Sequence, residues 1–219
     1  MSIITDEKTW ENFPNISREE IKLGVSEELE GLIPTLRSVF IVSAMATNEF
    51  YINECYVDLR ERRAGKDEKL TSALCVTGYA VQKSLAISIA CLYDGNGTNI
   101  LQIQNVFIKN SKDVVERNKN QIILDEILKL KKKFEGKKLN SAIEKLRKFR
   151  GQALAHIDQN PAPPAALPTF GELEDLLLHA LKMSILCMHF VSKITVDIRK
   201  IVKQAEEKRD VLNEMILNN

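Results

Sequence analysis

Proline is absent from Thr35 through Asn160, and four of the six prolines then fall together at Pro161, Pro163, Pro164 and Pro168. Inside a helix proline costs about 3 kcal/mol, because it lacks an N–H donor and its ring meets the preceding turn. The long proline-free stretch therefore leaves room for consecutive helices, and the cluster after it reads as a loop or extended linker. Helix-start signals recur. Ser17-x-x-Glu20 and Thr169-x-x-Glu172 have the form of capping boxes, and Pro34 suits a first helical turn. With the 3.6-residue apolar periodicity, these signals predict helices at about 17–30, 34–62, 68–93, 99–109, 112–135, 140–157 and 170–217. Turn formers separate several of them: Ala64-Gly65-Lys66-Asp67, Asp94-Gly95-Asn96-Gly97, and Gly136 with Asn140.

Strand patterns are scarce. Ser38 to Val42 is β-branched enough for a strand, but it sits inside a longer helical pattern and is read as helix. The last segment has neither Gly nor Pro after Gly171 and would run about 70 Å if unbroken. Its first half, Leu176 to Val191, is apolar nearly all round and its second half is charged, as if a core helix projects beyond the bundle. The expected fold is all-α, a mostly antiparallel multi-helix bundle with a long C-terminal helix. Residues 1–33 form an acidic N-terminal segment with a short helix, and 34–219 form the helical domain.

Apolar residues make up 44% of the 219-residue chain and charged residues 28%, which excludes disordered, collagen-like and disulfide-scaffold classes. A chain of this length buries enough surface to be stable without disulfides or metal. Cys55, Cys75, Cys91 and Cys187 lie in apolar helical stretches without C-x-x-C spacing and read as small buried hydrophobes in a reducing compartment. The N-terminal sequence turns acidic within six residues, so no signal peptide is evident. No apolar run reaches the roughly 18 residues of a membrane span; the nearest, Leu32 to Ala46, is broken by Pro34 and Arg37. A cytoplasmic protein without membrane contact is expected.

The net charge of +1 hides a strong segregation. Between Lys129 and Arg150 ten basic residues face two acids, Glu135 and Glu144, while residues 1–35 hold eight acids against three bases. Such a run is either a solvated helix face or a surface for a polyanion. The segment Asn140 to Ile157 decides more. On a helical wheel with Phe149 at 0°, its apolar residues span an arc from about 0° to 140°, and Arg150 falls at about 100°, inside that arc. His156 lies near −20°, at the arc's edge. An arginine on an apolar face needs a partner or a task. Two explanations stand: a core carboxylate or carbonyl pairs with Arg150, or Arg150 lines a cleft. The small residues of Gly151 to Ala155 between Arg150 and His156 permit close approach of another chain or ligand. The sequence contains no H-E-x-x-H, no P-loop and no dinucleotide fingerprint.

Arg150-x5-His156, set in L-R-K-F-R-G-Q-A-L-A-H-I-D near a helix end, resembles the Arg-x(4–6)-His motif of the HEPN superfamily. The Ala-His-Ile-Asp ending, with Cys-Leu-Tyr-Asp-Gly at 91–95, is most similar to the abortive-infection (Abi) branch found in bacterial phage defence. The resemblance implies that 34–219 is a HEPN-like domain acting as a metal-independent endoribonuclease of the defence or toxin type. Its site would be composite, assembled at a homodimer interface, with no cofactor and no metal. RNA and a second copy of the chain are the implied partners, and an antitoxin protein is a third that this class admits. His156 would serve as general base or acid, and Arg150 would hold the phosphate. Six residues along a helix separate the two by about 9 Å in rise and about 120° in direction, so one copy grips a single phosphate poorly and a two-fold axis would supply the second. Lys137, Lys138, Lys145, Arg147 and Lys148 would attract the RNA backbone, and Asp158 would orient His156. A catalytically silent helical module for protein interaction or RNA binding is the competing expectation.

Overall fold

The computed structural model describes residues 31–63, 68–93, 99–114, 119–135, 137–155, 168–192 and 198–217. Among these residues there are seven helices and no strand: α1 (Ile33–Arg63), α2 (Glu68–Tyr93), α3 (Ile100–Val114), α4 (Lys119–Phe134), α5 (Lys137–Ala155), α6 (Phe170–Ser192) and α7 (Ile198–Leu217). The all-α bundle expected from the sequence is the fold observed. The helix expected at 17–30, the turns at 64–67 and 94–97, and Pro161, Pro163 and Pro164 lie outside the described residues.

Local chemistry explains most helix ends. Asn99 caps α3, its Oδ1 accepting from the N–H groups of Leu101 and Gln102 at 3.0 Å each. Thr169 and Glu172 form the capping box: the Thr169 N–H donates to Glu172 Oε2 at 2.7 Å, and the Glu172 N–H donates to Thr169 Oγ1 at 3.3 Å. Thr169→Ala is expected to cost about 1 kcal/mol, read as a lower midpoint in chemical unfolding. The third helix runs to Val114, past the expected stop at 109, because Asn110 turns its amide back onto the Val106 carbonyl at 3.0 Å and so works inside the helix.

In this bundle α6 is the centre and contacts each of α1 to α5. From Leu173 to Val191 nearly every side chain is buried, as its all-round apolar character requires. The two first helices form an antiparallel hairpin, with Ser84 Oγ donating to Glu49 Oε1 at 2.7 Å and a close approach where a Cβ on Gly78 would stand 3.3 Å from Tyr56 Cβ. The polar residues Ser43 and Thr47 enter the α1 core face because their hydroxyls donate to the carbonyls of Val39 and Ser43, at 2.8 and 2.9 Å.

The expectation of one long C-terminal helix is corrected. Phe170, at the start of α6, stacks on Phe50 with ring centroids 4.2 Å apart, while Lys208 of α7 donates to Asn48 Oδ1 at 3.1 Å. In an unbroken helix Phe170 and Lys208 would stand almost 60 Å apart, roughly 1.5 Å for each residue between them. The chain therefore reverses between Ser192 and Ile198, and α7 runs beside α1 in the same direction, from Asn48 against Lys208 to Cys55 against Asn213. The apolar side of α7, with Ile201, Val202, Ala205 and Leu212, packs inward, so the charged half of the segment covers the hairpin rather than projecting. The cysteines divide as well: all four are free thiols, Cys55 and Cys187 are buried, and Cys75 and Cys91 are exposed, contrary to the expectation that all four are buried.

Candidate active site

The helix that carries Arg150 is built from two faces. Leu139, Ala142, Ile143, Leu146 and Phe149 form a buried stripe on α5 that packs against α2 and α6. Opposite it, Glu144, Arg147 and Lys148 are exposed. Arg150, at i+4 from Leu146 and i+7 from Ile143, lies in line with the stripe and is half-buried, about one and a half turns before the last residue of α5, Ala155. It has an interaction within the chain. His156 and Asp158 lie outside the described residues, so the Arg150–His156 pair and the proposed orienting contact are not described by this structure.

The basic residues differ in what they already do. Lys145 donates to both carboxylate oxygens of Glu172, at 2.8 and 2.9 Å, and so ties α5 to the capping box of α6. The hydrogen bond from Lys145 is the main reason that the Glu172 carboxyl is held below the usual range, aided by the Thr169 contacts and opposed by burial. A lowered carboxylate pKa contributes stability that is present at neutral pH and lost as the pH falls through the lowered value. Arg147 pairs with Glu144 at 2.8 Å on an exposed surface, an arrangement worth under about 1 kcal/mol. Lys129 bonds to Glu126, and Lys131 lies 3.9 Å from Glu135. Lys148 is exposed, and Lys137 and Lys138 begin α5, with their side chains outside the description. Of the five expected RNA contacts, Lys145 is thus a structural tie between helices.

The sequence alone does not single out Asp175 or Lys182 of α6. Asp175, His179 and Lys182 stand at i, i+4 and i+7 and share one face of α6. They open onto a cavity of about 360 Å³ whose other walls are Leu130, Lys133, Leu139 and Leu178. His179 is buried between Phe134 and Tyr93, with ring centroids 4.3 and 6.0 Å away. A larger groove of about 830 Å³ lies between α1, α2 and α7, with Glu54, Tyr56, Tyr79 and Arg209 among its walls.

Among the described residues no group of three or more His, Cys, Asp or Glu side chains is placed to hold a metal. Among them α2 is long and apolar enough to cross a membrane by length and composition. Its first half is largely exposed, Val76 and Tyr79 included, with Lys83 Nζ 4.6 Å above the Tyr79 ring. Comparison with known proteins finds no family model, no curated protein and no solved structure that matches the chain.

Proposed function

We propose that the chain is a metal-independent endoribonuclease of the defence or toxin type, with Arg150 and His156 from two copies sharing one cleft. The observation that carries this reading is the position of Arg150: half-buried, in line with the apolar stripe of α5 near the end of that helix, and downstream in sequence of the Lys131–Lys133 run that ends α4. A half-buried guanidinium keeps its fork of donors within reach of a phosphate while its stem packs on apolar surface.

The reaction follows from the two groups. His156 takes the proton of a ribose 2′-hydroxyl, the 2′-oxygen attacks the adjacent phosphorus, and the bond from phosphorus to the 5′-oxygen breaks. The leaving oxygen receives a proton from an imidazolium, and the products are a 2′,3′-cyclic phosphate and a 5′-hydroxyl end. Arg150 holds the non-bridging oxygens through parallel N–H donors and offsets the charge that grows on them.

RNA digested in the presence of EDTA, wild type against His156→Ala, tests the activity. Cleavage by the wild type alone is the expected outcome. Intact RNA in both lanes would instead favour a silent interaction module, the reading that the exposed apolar first half of α2 supports. Backbone attraction has its own test. Replacing Lys137, Lys138 and Lys148 together by Gln should flatten the slope of log affinity against log salt by up to about three units, and an unchanged slope would place the RNA elsewhere. Lys145→Gln is expected to act on stability instead, through loss of the Glu172 tie.

A further inference from the structure

Helix α2 carries a face that neither the bundle nor the proposed cleavage uses. From Leu70 to Gln82 it holds no charged residue, in a chain where charged residues are 28%. Yet between Glu68 and Ser84 only Leu74 is buried, whereas Leu85, Ala86, Ile89 and Ala90 of the second half all are. The largest side chains left in solvent are Val76, exposed at 69%, and Tyr79, at 48%. An uncharged face of this extent left open to water marks a surface for another molecule. At 100° per residue Glu68, Ser72, Cys75, Val76, Tyr79 and Lys83 fall within about 100° on one side of the helix.

The charges at the two ends of this face identify its occupant. Glu68 stands at one end and Lys83 at the other, about 22 Å apart along the axis. The Lys83 ammonium lies 4.6 Å above the Tyr79 ring, so it is held over the same face. A second copy of α2 laid antiparallel, with its Cys75 opposite Val76, puts each Glu68 across from the partner's Lys83. The same register sets Tyr79 against the partner's Ser72, a large ring on a small side chain, and Lys69 against the partner's uncharged Gln82. A parallel pair would instead bring Lys83 against Lys83. A bilayer is a poorer match, because Val76 and Tyr79 are set among Ser72, Ala73 and Thr77 rather than among further large apolar residues.

We infer that the exposed face of α2 is a homodimer interface, an antiparallel pairing of α2 with α2 about a two-fold axis beside Cys75 and Val76, closed at its ends by two Glu68–Lys83 pairs. Association through α2 is independent of the nuclease reading: a chain that dimerises this way and leaves RNA intact upholds the one and not the other. Light scattering of the full chain over a dilution series, with circular dichroism to follow folding, tests it. Expected are a wild-type dimer and a folded, monomeric Val76→Glu, since the Val76 side chain is exposed and its replacement leaves the core untouched. Lys83→Glu and Glu68→Lys should each raise the dimer dissociation constant by about tenfold or more, because each sets like charges opposite one another twice per dimer. The double variant should return it to near the wild-type value. A short bismaleimide should join two copies through Cys75 and not through Cys91, which is exposed about 24 Å further along the helix, so Cys75→Ser alone should abolish the link. A monomeric wild type would overturn the proposal, and one that sediments with phosphatidylglycerol vesicles would give the face to a bilayer. A dimer that survives Val76→Glu, or a double variant no tighter than either single one, would overturn it as well.

Discussion

Arg150→Ala should leave a folded protein that no longer cleaves RNA. The packing at this point of α5 is carried by Leu146 and Phe149, both buried, while Arg150 beside them is only half-buried. Truncating a partly solvated arginine costs less than breaking a fully buried ion pair, and leaves the buried stripe of α5 in place. Loss of the guanidinium from a transition state in which phosphate charge grows is a different matter. A donor aimed at developing charge is worth roughly 10²- to 10³-fold in rate. The expected result is a melting curve close to that of the wild type and cleavage reduced by at least roughly 10²-fold. A variant that fails to fold would show that Arg150 serves the core, and the endoribonuclease reading would lose the observation on which it stands.

The second large effect belongs to the centre of the bundle. Leu181 is fully buried in α6, the helix against which five others pack, so the space left by Leu181→Ala cannot be filled by movement of one neighbour. A loss of about 2–5 kcal/mol is expected, a large share of the roughly 5–15 kcal/mol that holds a domain together. The corresponding fall in melting temperature is on the order of 4–20 °C. Val76→Ala, on the exposed face of α2, should change stability by less than about 0.5 kcal/mol. Equal melting temperatures for Leu181→Ala and Val76→Ala would contradict the central place given to α6.

Much of this architecture is legible in the sequence because its punctuation is strong. Proline placement, the Thr169 capping box and the all-round apolar run of α6 each tie one residue type to one backbone requirement, and the helices stand where those signals put them. The reversal after Ser192 is not legible in the same way. No Gly or Pro marks it, and the stretch Lys193-Ile-Thr-Val-Asp197 lowers helix propensity by only a few tenths of a kcal/mol per residue. What fixes the reversal is tertiary: α7 returns to α1, where Arg209 stands 6.0 Å over the Tyr51 ring and Asn213 accepts from Cys55 Sγ at 3.0 Å. The exposure of Cys75 and Cys91 has a similar cause, since an apolar composition does not say which side of a helix its neighbours cover. On α5 the wheel put Arg150 among apolar residues, in line with Ile143 and Leu146, and in the structure those neighbours are buried while Arg150 itself is half-buried. The polar stripe of Asp175, His179 and Lys182 was present in the sequence at helical spacing, but only the packing of Tyr93 and Phe134 around His179 shows that its Nε2 lacks a partner.

The proposed sharing of one site between two copies admits one direct measurement. Arg150→Ala and His156→Ala chains, each purified alone, are mixed, allowed to exchange subunits, and given RNA in the presence of EDTA. A heterodimer brings together one intact Arg150 and one intact His156 from different chains, so the mixture should cleave while neither variant does alone. A mixture as inactive as its components, beside a wild type that cleaves, would contradict a site shared between two copies.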